Sequence, residues 1–175
     1  ENTEITDPFE PYLNFLYQQI VRYLKKTVFT LIPLKGEAAQ SAVATSEAQV
    51  LPMVFWATAG VDTEETTEAR SFNSFHEAFE QYKGRVLLLG DPGSGKTTTL
   101  FAFARDQVAR RLEDPTLPLP LIAPLSTWDG QQQTPLVDWL SGQTALLSRD
   151  DIGALIQAGR ALLMLDGLDE LGGER

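Results

Sequence analysis

Gly90-Asp91-Pro92-Gly93-Ser94-Gly95-Lys96-Thr97 follows directly on the apolar run Val86-Leu87-Leu88-Leu89 and opens into a segment of helical character, Lys96 to about Leu112. The stretch matches G-x-x-x-x-G-K-[ST]. Glycines there let the backbone curl so that successive N–H groups turn inward onto phosphate oxygens. The helix that begins at the end of the loop adds the positive end of its dipole. Lys96 is placed to reach the β- and γ-phosphates, and the Thr97 hydroxyl to ligate Mg²⁺, a hard cation that prefers oxygen. Gly90, Pro92, Gly93, Ser94, Gly95, Lys96, Thr97 and Thr98 are therefore the candidate phosphate-binding residues. The alternative, a chance match in a Gly-rich turn, is disfavoured by the strand before it and the helix after it.

A second stretch completes the pattern. Ala161-Leu162-Leu163-Met164-Leu165 reads as a buried strand, and Asp166-Gly167-Leu168-Asp169-Glu170 puts acids at its carboxyl end. Ligands of open α/β sheets bind at that end. Asp166 is the candidate metal carboxylate together with Thr97. Glu170, and after it Asp169, are the candidates to orient or deprotonate an attacking water. Taken alone, this segment reads equally well as a strand running into a solvated turn. Its position about 70 residues beyond Lys96, in the order a Mg-nucleotide site requires, favours the chemical reading.

Outward from these motifs the pattern is strand, helix, strand, helix, strand. Pro115, Pro118, Pro120 and Pro124 punctuate the segment in which Leu119 to Leu125 is the second strand. Gly130 to Thr134 is a Gln-rich loop and Leu136 to Leu140 a short helix. Ser148 with Asp151 forms a capping box for a further helix that Gly159 stops. Alternating elements of this kind imply a parallel sheet with crossover helices. Ahead of this core, Phe9, Tyr12, Leu13, Leu16, Ile20, Tyr23 and Leu24 recur at helical spacing over residues 9–26. Val28 to Leu34 (VFTLIPL) and Val50 to Ala57 (VLPMVFWA) read as a strand pair. Asp62, Glu64, Glu65 and Glu68 mark an exposed linker. Ser74 with Glu77 caps a short helix to about Tyr82. The expected domains are residues 1–70, a helix with strand pair and acidic linker, and residues 71–175, the first part of a P-loop NTPase domain.

Composition narrows the rest. The chain has 175 residues, 43% hydrophobic and 22% charged, the balance of an ordinary globular protein. A net charge of −10 without a basic stripe argues against a nucleic-acid partner. Cysteine is absent, which removes disulfides and thiolate metal sites and suits a cytoplasmic protein. No apolar run reaches the roughly 20 residues of a membrane span, and no signal peptide opens the chain. The start at Glu1 and the end at Arg175, just past the acids, read as a piece of a longer polypeptide. His76, the sole histidine, reads as a helix-surface residue. Trp56, Trp128 and Trp139 read as core or interface. Arg70, Arg85 and Arg105 are secondary candidates for phosphate or partner contacts.

With these residues in view, GDPGSGKTT, Leu119-Pro120-Leu121-Ile122 and above all Leu165-Asp166-Gly167-Leu168-Asp169-Glu170 resemble NACHT domains, of the STAND class of signal-transducing NTPases. The resemblance covers residues 84–171 or so. It implies an incomplete three-layer α/β P-loop core with a parallel sheet, here preceded by a small α+β region. It also implies a slowly hydrolysing ATP (or GTP) switch with Mg²⁺, which forms homo-oligomers when activated and works with other domains of its own polypeptide. The alternatives are an AAA-like motor or remodeller and a non-hydrolysing, nucleotide-bound scaffold. In this class the strand after the Asp166 strand lies between it and the first strand. Without that strand both would carry unpaired edges, and the 175-residue piece is expected not to fold stably by itself.

Overall fold

The structure is a computed structural model that describes residues 7–38, 74–88, 93–128 and 134–168, with the side chains of 28–38 left aside. Two compact units are present, Glu1–Phe29 with Leu100–Arg175, and Thr30–Thr99. Two helices, α1 (Glu10–Ala38) and α3 (Lys96–Glu113), run through a boundary between them.

The larger unit is built on a parallel pair of strands. Strand β1 (Leu119–Pro124) pairs with β2 (Ala161–Asp166) in the register Leu119↔Ala161 through Pro124↔Asp166. The Leu119 N–H donates to the Arg160 carbonyl at 2.7 Å. Backbone groups alternate along a strand. Those of Leu119, Leu121 and Ala123 therefore face β2, and those of Pro120, Ile122 and Pro124 face away from it. Both prolines thus stand where the ladder needs no donor, which is where an edge strand tolerates them. The outward carbonyl of Pro120 accepts the Tyr12 hydroxyl at 2.9 Å. β1 is an edge strand by composition, and α1 touches that edge through Tyr12. On β2 the groups of Ala161, Leu163 and Leu165 face outward with no proline among them.

Helix α1 takes its buried side from the predicted periodicity. Tyr12, Leu13 and Ile20 are buried, and Leu16, Tyr23 and Leu24 half-buried. Fully burying Leu13 or Ile20 is worth about 1.5–3 kcal/mol relative to exposure. Burial pushes the Tyr12 phenol well above its usual pKa, so it remains a protonated donor to Pro120. At the helix start Asp7 accepts the Phe9 N–H on its side chain at 3.0 Å and the Glu10 N–H on its carbonyl at 2.9 Å. The same carboxylate holds Arg111, 2.7 Å from Nε to Oδ2 and 3.2 Å from Nη2 to Oδ1. Arg111 also donates to the Leu117 carbonyl. Both partners are buried, Asp7 at 6% and Arg111 at 1% exposure, so this ion pair has left water almost completely.

Two expectations fail here. Val28–Leu34 continue α1 as helix rather than forming a strand. β-branched and aromatic residues follow context more than intrinsic preference. Here the chain arrives already helical, so extension adds a hydrogen bond per residue without a new nucleus. Val86–Leu88 have no regular secondary structure, and Leu87 is 54% exposed instead of buried. No strand pairs with them among the described residues, which leaves the apolar run without a sheet to join. The second expected strand, 50–57, the linker and the boundary near residue 70 lie outside the described residues.

The remaining elements follow their local signals. α2 (Phe75–Gln81) starts at Ser74, whose hydroxyl accepts the Glu77 N–H at 3.2 Å. α4 (Leu136–Gln143) packs on β1 and on α5 (Arg149–Gln157), and α5 on β2. α5 begins with the predicted capping box and ends at Gly159, whose φ of +65° suits glycine. The Arg160 N–H then bonds back to the Leu155 carbonyl at 2.8 Å, and Arg160 leads straight into β2. The described elements make a mixed helix–strand architecture with a small parallel two-stranded sheet, in keeping with the incomplete α/β core expected from the sequence.

Asp7→Ala leaves a buried guanidinium without its partner. It should lower unfolding free energy in urea by about 3–5 kcal/mol, most of which Asp7→Leu combined with Arg111→Met should restore. The Asp151 carboxyl is held below its usual pKa, first by the Ser148 hydroxyl and then by the Ser148 N–H. A carboxyl with a depressed folded-state pKa stabilises above its unfolded value and loses that contribution as pH falls through the folded value. Urea titrations should therefore separate wild type from Asp151→Ala at neutral pH and bring the two together well below about pH 3.9.

Candidate functional site

The phosphate-loop candidates divide at Gly93. Gly90 and Pro92 lie outside the described residues. Gly93, Ser94 and Gly95 form a turn that leads directly into α3, and Lys96, Thr97 and Thr98 make its first turn. Gly93 and Gly95 have φ of +77° and +88°, values that L side chains rarely adopt. A Cβ at either position would meet no atom within 4 Å. What requires glycine is therefore the backbone conformation, and the space beside both residues is open. The Thr99 N–H donates to the Gly95 carbonyl at 2.9 Å, which makes Gly95 the residue from which the helix starts. A helix directs the N–H groups of its first turn out of its N-terminal end, and in α3 those residues are Lys96, Thr97 and Thr98. Gly93 and Ser94 are exposed, and Lys96 to Thr98 half-buried.

Asp166 stands at the carboxyl end of β2, half-buried, opposite Pro124 in register. Gly167 follows with φ of +81°, so the chain turns sharply after the carboxylate. Leu168 is 47% exposed. Asp169 and Glu170 lie outside the described residues. Among the described residues no three His, Asp or Glu side chains gather as a metal cluster. The Thr97 hydroxyl and the Asp166 carboxylate are hard oxygen donors, the chemistry that suits Mg²⁺, which keeps several waters and needs few protein ligands.

Beside Asp166, the carboxyl end of β1 runs through a 3₁₀ turn, Leu125–Thr127, to Trp128. Trp128 stacks on Trp139 of α4 with ring centroids 5.5 Å apart. The Trp139 indole donates to the Thr127 hydroxyl at 3.0 Å, and that hydroxyl donates to the Pro124 carbonyl at 2.8 Å. The Trp128 indole donates to the Thr134 carbonyl at 3.2 Å, tying together the two ends of the 129–133 segment. Both rings thus brace the turn next to the Asp166 strand, in line with the core role read from sequence; Trp56 lies outside the described residues. Arg105 is exposed and paired with Asp106 at 2.7 Å, Arg85 is exposed, and His76 is half-buried on α2.

Sequence reasoning missed Asp7, Arg111 and the contacts of Tyr12 and Tyr23. Each joins residues far apart in the chain, and none carries a local motif.

A glycine-rich turn opening a helix and an acid at the end of a parallel strand are the parts of a P-loop NTPase. The NACHT domain family model matches residues 84–175, and the chain belongs to that family of nucleotide-binding P-loop proteins. No curated protein and no solved structure matched the chain. No described helix is long and apolar enough to cross a membrane.

Since a Cβ at Gly95 has room, Gly95→Ala should lose stability through conformation alone. Urea unfolding should register about 1–2 kcal/mol, the cost of a left-handed L residue.

Proposed function

We propose that this chain is the phosphate- and metal-binding part of an ATP-binding, slowly hydrolysing switch of the NACHT/STAND type, whose nucleotide state governs assembly into homo-oligomers. The observation that carries the reading is the turn at Gly93 and Gly95, left-handed, open and leading straight into α3 inside the family-matched segment. Residues 71–175 are the first part of the NTPase domain and 1–70 a preceding region. ATP is the nucleotide, with GTP as the competitor to test, and the cytoplasm the place of action.

The chain's residues divide the work as follows. Backbone N–H groups from Gly93 through Thr98 wrap the phosphates, and the Lys96 ammonium neutralises charge on the β- and γ-oxygens. Thr97 and Asp166 would hold Mg²⁺, which when bound withdraws charge from the phosphate oxygens. Glu170, with Asp169 next in line, accepts the proton of a water whose oxygen bonds to the γ-phosphorus. The bond from that phosphorus to the β,γ-bridging oxygen breaks, giving ADP and phosphate. Gly167 keeps the turn after Asp166 free of a side chain.

The test is the nucleotide content and turnover of the purified full-length protein. Wild type should carry bound ADP or ATP and form larger assemblies with ATP, and Lys96→Ala should carry none. Glu170→Gln should retain nucleotide but lose hydrolysis. Turnover at about 1–100 s⁻¹ would instead mark a motor, and bound nucleotide with no hydrolysis in wild type and no loss in Glu170→Gln would mark a scaffold. Nucleotide retained by Lys96→Ala would overturn the reading.

A further inference from the structure

We propose that Thr127 and Trp139 are positioning residues for Asp166, the metal carboxylate of the nucleotide-binding reading above, on which this inference rests. All the residues concerned belong to the larger unit. Pro124 and Asp166 are the last residues of their strands and face one another in register. In a parallel ladder a residue bonds to the two neighbours of the residue opposite it. Proline has no N–H to give, so Asp166 makes this rung. Its N–H meets the Ala123 carbonyl, and its carbonyl meets the Leu125 N–H. The Pro124 carbonyl and the Leu125 N–H are the two ends of one planar trans peptide, so what orients one orients the other. The Pro124 carbonyl points away from β2 and accepts the Thr127 hydroxyl at 2.8 Å. That hydroxyl in turn accepts the Trp139 indole N–H at 3.0 Å.

The bonds form one chain, from the indole on α4 through the Thr127 hydroxyl and the 124–125 peptide to the main chain of Asp166. Each bond in such a chain polarises the next. The outer end is secured, since Trp139 is buried at 6% exposure and stacked on Trp128. Ala123 and Leu125 are buried too and keep the end of β1 in the core. Apolar contact is non-directional, however, and does not set the angle of a peptide plane. The hydrogen bond from Thr127 sets it. Beyond Asp166 the ladder gives no further rung, and Gly167 turns the chain with φ of +81°. The 124–125 peptide is thus the last backbone tie between β1 and the carboxylate's own residue. Ligating groups need placement within about 0.5 Å, and losing a group that holds a metal ligand costs about 10–100-fold in metal affinity.

Calorimetric titration of the full-length protein with ADP, in EDTA and at graded Mg²⁺, tests this. The variants are Thr127→Val, Thr127→Ser, Asp166→Asn and the pair Thr127→Val with Asp166→Asn. Thr127→Val keeps the shape of the side chain and loses both hydrogen bonds. It should raise the Mg²⁺ concentration that half-saturates the effect on ADP affinity by roughly tenfold, with affinity in EDTA unchanged. Thr127→Ser keeps the hydroxyl and should behave as wild type. In the Asp166→Asn background Thr127→Val should change nothing further, because both act through one carboxylate. A lower melting temperature with an unchanged Mg²⁺ requirement, or effects of the two substitutions that add, would make the chain of bonds structural only and overturn the proposal. Should wild type not bind ADP, or Asp166→Asn need no more Mg²⁺ than wild type, the reading of the site itself falls and the positioning role with it. If Thr127→Val does not fold, Trp139→Phe, which removes the indole N–H and keeps an aromatic ring, takes its place with the same outcomes.

Discussion

The buried pair between Asp7 and Arg111 is the contact on which the larger unit turns. A guanidinium stripped of water costs several kcal/mol unless its donors are met. Arg111 meets that demand from two other pieces of chain at once, the Asp7 carboxylate and the Leu117 carbonyl. The carboxylate in turn receives the Phe9 N–H. One ion pair therefore anchors the beginning of α1, the end of α3 and the approach to β1. With those fixed, Tyr12 reaches the outer edge of β1 and Tyr23 reaches Phe101. A hydrophobic substitute of equal volume could supply stability, but not the directional bonds that join these three segments.

The phosphate loop sits in a chain of net charge −10. A long-range field of that sign would repel a nucleotide, yet exposed charges further away than about 8 Å are largely screened at physiological ionic strength. What an incoming nucleotide would meet is local: a helix start, a lysine and two glycines with left-handed backbone and open space beside them. The same reasoning applies at Asp166, where the carboxylate is useful only if a cation accompanies the phosphates.

Much of this was legible in the sequence because its cause is local. Ser148 with Asp151, Gly159, Ser74 with Glu77, and Gly93 and Gly95 each fix their backbone within a few residues, and each stands where it was expected. β1 and β2 were legible as short apolar runs bounded by prolines and glycines. Val28–Leu34 was misread because a β-rich heptamer says less than the helix already running into it. Val86–Leu88 was misread because a strand needs a neighbour, and an apolar run does not reveal whether one is present. Asp7 and Arg111, 104 residues apart, look like two surface charges in the sequence. Only the fold makes them partners, as it does Tyr12 with Pro120 and Tyr23 with Phe101.

The distance along the chain between α1 and its partners has a consequence for synthesis. Ribosomes add about 5–20 residues per second, so Asp7 precedes Arg111 by roughly 5–20 s. During that interval α1 is a nascent amphipathic helix, with Leu13 and Ile20 on its apolar side and neither α3 nor β1 yet made. α1 is translated well before the partners it docks against. Whatever shields an apolar stripe on an emerging chain, a chaperone above all, would find its binding site here and be displaced as α3 and β1 arrive.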